Sequence, residues 1–288
     1  MYAITGITGQ VGGAVARTLL AAGHPVRAVL RDRAKAAFWS AKGCDVALAD
    51  MTDLPALTAA FRDTAGVFIL LPPVFDPQPG FPEARQLIDT VQRALAAARP
   101  QKVTCLSTIG AQAKQTNLLS QLSLLEQELS KLPMPIDFLR PGWFLENTLW
   151  DLAPARDNGV IHSFLQPLDR KIPMVATADV GRTAAELLLQ DWRGKRVVEL
   201  EGPRRVSPND LAAGLAKVLG RPVRAEPVAR ASWEDLFRGQ GMRNPLPRMR
   251  MLDGFNEGWI DFEGGAAATV KGTVGLETVL QELASRAG

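Results

Sequence analysis

Residues 2–12 read YAITGITGQVG, a short apolar run followed by three glycines, Gly6, Gly9 and Gly12. The apolar run is typical of a buried strand, and the segment VGGAVARTLLAAG that follows is typical of an amphipathic helix. Between a strand and a helix, such glycines allow a tight turn, a close approach of the main chain to a ligand, and close packing of the helix. We therefore predict that the backbone N–H groups of this turn bind the diphosphate of a dinucleotide.

The same alternation of strand and helix continues through the first 140 residues. We predict strands at about 2–5, 26–30, 44–48, 66–71, 102–106 and 135–139, and helices at about 10–22, 33–42, 53–63, 82–98 and 117–132. This pattern predicts the α/β class, with a doubly wound parallel Rossmann sheet. Strands 1 and 4 should flank the point where the strand order reverses, and ligands should bind beyond the carboxyl ends of the strands there.

The regular alternation of predicted strands and helices ends after Arg140, where prolines, aromatic residues and long irregular stretches appear. One more strand is predicted at about 196–201, a helix at about 208–219 and a last helix near 274–286. We predict a Rossmann core at 1–140, completed by about 177–202 and 268–288. The remaining segments, 141–176 and 203–267, should form a smaller C-terminal substrate-binding lobe.

Composition excludes several classes of protein. No apolar run reaches the roughly 18–20 residues of a membrane helix, and no secretory signal is evident, so we expect a cytoplasmic protein. The net charge is +3 and the basic residues are scattered, which argues against nucleic-acid binding. The segment that starts at Ser207 superficially resembles the first helix of a DNA-binding helix-turn-helix motif. No second, basic recognition helix follows it, so the motif is incomplete. Two cysteines in apolar runs and two histidines, without ligand spacing, predict no metal site.

Several segments together resemble a known family. They are TGITGQVGGAVARTLLAAGHPVRAVLRDRAKA, VALADMTD, LSTIGA, IDFLRPGWFLEN and GPRRVSPNDLAAGLAKVLGRPV. With the spacing G-x-x-G-x-x-G, they are similar to the NmrA-like group of atypical short-chain dehydrogenase/reductases. That resemblance implies either an NADPH-dependent quinone or triphenylmethane-dye reductase, or a regulator that binds the cofactor without turnover.

The end of the second strand bears on the choice of nucleotide. Arg31 stands there, where NAD-specific sites have a carboxylate, and its guanidinium suits the 2′-phosphate of NADP. Arg33 and Lys35 add positive charge, although Asp32 opposes it. We therefore expect NADP(H) to be preferred over NAD(H).

The resemblance extends the predicted cofactor site along the sheet edge. Asp50 and Met51 fall where the family places adenine contacts, although Asp50 could instead cap the next helix. The predicted cofactor-binding residues are Gly6, Thr8, Gly9, Gln10, Val11, Gly12, Arg31, Lys35, Asp50, Met51, Leu71, Pro72, Ser107 and Pro141. The proline-rich loop from Pro72 to Pro82 should be stiff.

The usual catalytic pair of short-chain dehydrogenases is missing. The single tyrosine, Tyr2, lies in the first strand, and Leu122 stands where the family commonly has a lysine. Ser107 and Thr108 are weak catalytic candidates. The hydroxyl of Ser107 could equally be a strand-end group that bonds local backbone.

The predicted substrate site is aromatic. Trp143, Phe144 and Asn147 follow the sixth strand and suit a flat ligand, although Asn147 could instead cap a helix. Further aromatic and methionine side chains either extend this wall or pack the core of the lobe: Trp150, Phe164, Trp233, Phe237, Met242, Met249 and Met251.

Two functions remain open at this point. One is an NADP(H)-dependent oxidoreductase that passes hydride directly to a conjugated acceptor, such as a quinone or dye, which needs no strong acid. The other is a non-catalytic NAD(P)(H)-binding redox sensor that acts through a protein partner. The sequence leaves the oligomeric state open.

Overall fold

The computed structural model describes residues 1–287, which fold around one eight-stranded sheet. The strands are Tyr2–Ile4 (β1), Val26–Leu30 (β2), Asp45–Leu48 (β3), Gly66–Ile69 (β4), Val103–Leu106 (β5), Ile136–Pro141 (β6), Trp143–Phe144 (β7), Val160–Ser163 (β8), Met174–Val175 (β9), Lys195–Glu201 (β10), Arg224–Pro227 (β11) and Val270–Lys271 (β12). The large sheet has the order β12-β10-β6-β5-β4-β1-β2-β3, and every pairing in it is parallel. Two two-stranded sheets, β11-β8 and β7-β9, lie outside it.

Helices connect the strands. They are Gln10–Ala21 (α1), Ala36–Ser40 (α2), Leu54–Phe61 (α3), Pro82–Ala98 (α4), Ser120–Leu129 (α5), Leu149–Asn158 (α6), Thr177–Leu189 (α7), Pro208–Leu219 (α8), Trp233–Gly239 (α9), Leu246–Glu257 (α10), Gly265–Ala268 (α11) and Leu276–Ala287 (α12). Within residues 1–287, no helix has the length and apolar character needed to cross a bilayer.

The reversal of strand order lies at β1, as predicted. Ile4 pairs with Ala28 of β2 on one side and with Phe68 of β4 on the other. The doubly wound Rossmann sheet is therefore confirmed. Cys44 and Cys105 are both buried free thiols, as expected for small apolar residues.

The core has three apolar clusters. One joins β1 to α1 and α7, through residues such as Ile4, Val15 and Ala184. A second covers the opposite face with α3, α4 and α5. The third surrounds Trp233 and takes in residues of α6, α8, α10 and α12. The two-lobe division of the chain remains a proposal.

The expectation of long irregular stretches after Arg140 is wrong in several places. Helices α6, α9 and α10 occupy parts of these stretches, and helix α7 and strands β7, β8, β9 and β11 also lie where no element was predicted. Pro154 lies inside α6, which disguises the helix in the sequence. In α10, charged residues alternate with methionines, and the helix is stabilised mainly by the side chains it buries in the third cluster.

The contact between α1 and α7 requires a glycine. A Cβ on Gly181 would lie 2.3 Å from the Cβ of Ala14 and 2.9 Å from the carbonyl oxygen of Val11. Both distances are too short for a real side chain, so α7 reaches α1 only because position 181 has none.

We expect Gly181→Ala to destabilise the fold by about 1–3 kcal/mol, because overpacking outweighs the roughly 1 kcal/mol gain in helix propensity. The control is Gly239→Ala on α9, where a Cβ meets nothing within 4 Å among the described residues. It should be neutral or slightly stabilising. Urea unfolding without nucleotide measures both, and equal midpoints for the two variants would contradict the packing argument.

Candidate active site

The glycine turn has the geometry that a diphosphate requires. Gly6 has a φ of +62°, and the N–H of Gly9 donates to the carbonyl of Gly6 at 2.9 Å. A Cβ on Gly12 would lie 2.3 Å from that carbonyl oxygen, so the position admits only glycine. Helix α1 starts at Gln10, and no side chain of residues 1–287 caps it at Gly9. Its first N–H groups are therefore available to an anion, which fits the predicted nucleotide.

Thr5 fixes this turn to the neighbouring strand. Its Oγ1 donates to the carbonyl of Phe68 at 3.0 Å and accepts from the N–H of Leu70 at 2.9 Å. The predicted contacts Leu71 and Pro72 follow at once, so they lie at the same sheet edge as Gly6. Sequence reasoning missed Thr5, although a buried threonine at the end of a strand is a recognisable signal.

The predicted ribose side carries exposed positive charge. Arg31 and Lys35 are both exposed, at and just beyond the end of β2. The carboxylate of Asp32 accepts from the N–H of Ala34 at 2.9 Å and caps a single 3-10 turn. The carboxylate of Asp32 therefore already has a backbone partner, whereas the side chains of Arg31 and Lys35 remain open to solvent.

The predicted adenine side has a carboxylate held by its neighbour. Asp50 accepts from Thr52 through Oγ1 at 2.7 Å and through the backbone N–H at 2.9 Å. These hydrogen bonds lower the pKa of Asp50. The alternative that Asp50 caps the next helix is wrong, because Asp53 caps α3 by accepting from Ala56. Met51 is partly buried beside it, and its adenine contact remains a prediction.

A buried ion pair lies where β5 and β6 end. Arg140 donates to both oxygens of Glu126, at 2.9 and 2.7 Å, and Ser107 donates its hydroxyl hydrogen to the same carboxylate. Burial disfavours the charge of Arg140, but these bonds outweigh it and raise its pKa. The alternative of a local backbone partner for Ser107 is wrong: its partner is a side chain 19 positions later. Thr108 is buried beside it.

Sequence reasoning missed this pair. Arg140, a charged residue in the buried strand β6, was the available signal, because a buried arginine requires a partner. Tyr2 lies at the opposite end of β1, edge-to-face with His24 at 5.7 Å. Leu122 lies on α5 and packs against the second apolar cluster. Neither residue can therefore supply acid chemistry at the strand ends.

The predicted substrate wall is half-buried. Trp143 and Phe144 form β7, and Trp143 packs edge-to-face on Phe255 at 5.3 Å. Asn147 is exposed and does not cap α6, whose N-cap is Thr148, so that alternative is wrong. Its contact with a ligand remains a prediction.

Most of the other aromatic and methionine residues pack in the third apolar cluster. Trp233 and Phe237 are fully buried, and Phe164 stacks against both. Met249 and Met251 are also buried in the same cluster. For these residues the core alternative holds. Trp150, in contrast, is 83% exposed.

A second polar contact joins the wall to the glycine turn. Glu146 accepts from the N–H and the hydroxyl of Thr177, at 2.8 and 2.5 Å, and that hydroxyl lies 3.1 Å from the side chain of Gln10. Burial raises the pKa of Glu146. Sequence reasoning missed both Glu146 and Thr177, which are 31 positions apart.

Comparison with known families agrees with this architecture. The sequence model of the NmrA-like family matches residues 2–261 of this chain. The chain belongs to the NmrA-like family.

Several relatives of this NmrA-like chain have been named. An NAD(P)H azoreductase of Xenophilus azovorans is 27% identical over 85% of this chain and 83% of its own length. Quinone oxidoreductase 2 of Escherichia coli (strain K12) is 28% identical over 86% of this chain and 85% of its own. The crystal structure of an E. coli NADPH-dependent quinone oxidoreductase complexed with NADPH superposes with a TM-score of 0.81, at 26% identity, over 98% of this chain and 99% of that one. A Citrobacter sp. triphenylmethane reductase complexed with NADP(H) shares the fold, with a TM-score of 0.80 at 20% identity over 98% and 99% of the two chains.

In this NmrA-like chain the proline-rich loop after β4 is held by hydrogen bonds to two other segments. Asp76 accepts from the backbone N–H groups of Arg243 and Asn244, at 2.9 and 2.8 Å, which lowers its pKa. Gln121 of α5 donates to the carbonyl of Val74 at 3.0 Å. The loop thus connects the sheet edge with the start of α10.

Asp151 gives a pH-dependent prediction. It lies in the first turn of α6, and burial raises its pKa from 3.8 to about 6. A carboxyl group with a raised pKa in the folded state favours folding only while it is protonated. Stability should therefore fall as the pH rises from about 4 through about 6, and then level off.

Asp151→Asn should remove this penalty and stabilise the protein at pH 8 by up to about 3 kcal/mol, with the gain vanishing toward pH 4. Asp157→Asn, at an exposed position of the same helix, is the matched control and should change stability by less than about 0.5 kcal/mol. Urea unfolding at the two pH values measures both. Equal stability of wild type and Asp151→Asn at pH 8 would show that the carboxyl group is well solvated.

Proposed function

We propose that this chain is an NAD(P)H-dependent oxidoreductase that transfers hydride directly to a flat conjugated acceptor, such as a quinone or dye, without a Tyr–Lys pair. One observation carries the proposal. The uncapped turn from Gly6 to Gly12 opens at the same sheet edge as Ser107 and Pro141, with the aromatic β7 directly after them. The names of the azoreductase and quinone oxidoreductase relatives support the same chemistry.

Each part of the site has a task in this reaction. The N–H groups at the start of α1 bind the diphosphate, and the dipole of the helix favours its charge. When bound, the nicotinamide supplies the hydride. Trp143 and Phe144 offer apolar surface on which a flat acceptor can stack. A quinone or dye cation delocalises the incoming electron pair, so orientation provides much of the catalysis and water can deliver the proton.

NADP(H) is the proposed preferred nucleotide. Arg31 and Lys35 are open to a 2′-phosphate, and the carboxylate of Asp32, which would oppose one, is bonded to Ala34. A guanidinium can bind a phosphate through two parallel hydrogen bonds. The cytoplasm remains the predicted location.

Arg31→Asp should weaken NADPH binding by roughly 2 kcal/mol, or about 30-fold, while NADH changes far less, because a charge-assisted bond is replaced by repulsion. Arg62→Asp, the same charge change just before β4 at the opposite end of the sheet, is the matched control and should leave the ratio unaltered. Calorimetric titration of each variant with both nucleotides measures this. Equal losses of the two nucleotides on Arg31→Asp would place the 2′-phosphate elsewhere.

Incubation of the purified protein with NADPH and a panel of quinones, azo dyes and triarylmethane dyes should give loss of the nicotinamide absorbance. A simple ketone is the control and should give none, because its alkoxide needs an acid that the site lacks. Tight nucleotide binding with no turnover on any acceptor would instead favour a redox sensor that acts through a protein partner.

A further inference from the structure

We propose that Ser107 serves the site only as a hydrogen-bond acceptor, and that it accepts from the carboxamide N–H of the nicotinamide. The proposal rests on the proposed function, because it takes the nicotinamide to lie at the ends of β5 and β6. It changes the role of Ser107 from a candidate acid to a residue that orients the cofactor.

The count of hydrogens at Ser107 excludes a donor role. A serine hydroxyl has one hydrogen and two lone pairs. That hydrogen goes to Oε1 of Glu126. Glu126 cannot reverse the bond, because it is the carboxylate partner of Arg140 and an ionised carboxylate only accepts. The lone pairs of Ser107 are what remain for a ligand.

The surroundings hold this arrangement in place. The side chains of Arg140 and Glu126 are only 6% and 12% exposed. A further nitrogen of Arg140 donates to Glu263 at 3.0 Å and to Gln112 at 3.2 Å, so the guanidinium is held from two sides. The backbone N–H of Ser107 donates to Leu139 at 2.8 Å, which fixes the residue to β6. Glu126 and Arg140 therefore act as positioning residues through Ser107.

The chemistry of the two proposed ligands then decides which one Ser107 binds. A quinone presents carbonyl oxygens, which accept hydrogen bonds and cannot pair with a second acceptor. The nicotinamide ring carries a primary carboxamide, which has two N–H donors. Among these ligands, the carboxamide is the group that fits an acceptor-only hydroxyl at this edge.

The test compares NADP⁺ with its 3-acetylpyridine analogue, in which a methyl group replaces the carboxamide nitrogen. Wild type should bind NADP⁺ about fivefold more tightly than the analogue, as expected for one neutral hydrogen bond. Ser107→Ala should abolish this preference. The ratio of the two dissociation constants within one variant is the readout, so a general loss of folded protein cancels.

Two further variants separate positioning from structural support. Glu126→Gln should also lower the preference, because its amide N–H can donate to Ser107 and leave the hydroxyl hydrogen free to face the N–H of the ligand. It should have no further effect in the Ser107→Ala background. Asp137→Asn is the matched control: it replaces another buried carboxylate that pairs with an arginine, Arg196, but lies at the start of β6, away from Ser107. It should leave the preference unchanged.

Three results would overturn the inference: equal binding of both nucleotides by wild type, a preference that survives Ser107→Ala, or an equal loss of preference on Asp137→Asn. Failure of wild type to bind either nucleotide would be a different result, because it would contradict the proposed function itself.

Discussion

The structure depends on the contact between the third glycine of the turn and the carbonyl group of the first. A Cβ at Gly12 would overlap the oxygen of Gly6, so only glycine lets α1 begin this close to β1. Gly181 allows a similarly close approach between helices α7 and α1, because a Cβ there would overlap Ala14. These two approaches bring the start of α7, with Thr177, against Gln10 at the head of α1. The glycine spacing thus determines which side chains can meet at the site.

The N-terminal half was predictable because its signals are local. The glycines after β1, and apolar runs separated by helical segments, identified β1 to β6 and their order from residues close together in the chain. The predicted cofactor turn also came from adjacent residues. Helices α6, α9 and α10 gave no such signal, since Pro154 interrupts one of them and tertiary burial stabilises the others.

The parts of the site that sequence reasoning missed are side-chain pairs between distant segments. Arg140 meets Glu126 across 14 positions, and Thr177 meets Glu146 across 31. Periodicity shows which face of an element is buried, but it does not show which charge will lie opposite another. The same limit explains Ser107, whose alternative named a local backbone partner although its partner lies 19 positions later.

The buried ion pair also bears on the range of substrates. Removing Arg140 and Glu126 from water costs free energy, and in return their bonds join β6, α5, Ser107 and the segment at Glu263. At the ends of β5 and β6 this arrangement leaves a hydroxyl group whose hydrogen already bonds to Glu126. An acceptor that develops localised charge, such as a simple ketone, would find no donor there. An acceptor that spreads the charge over its own π system needs none, so the bond of Ser107 to Glu126 agrees with the proposed conjugated acceptors.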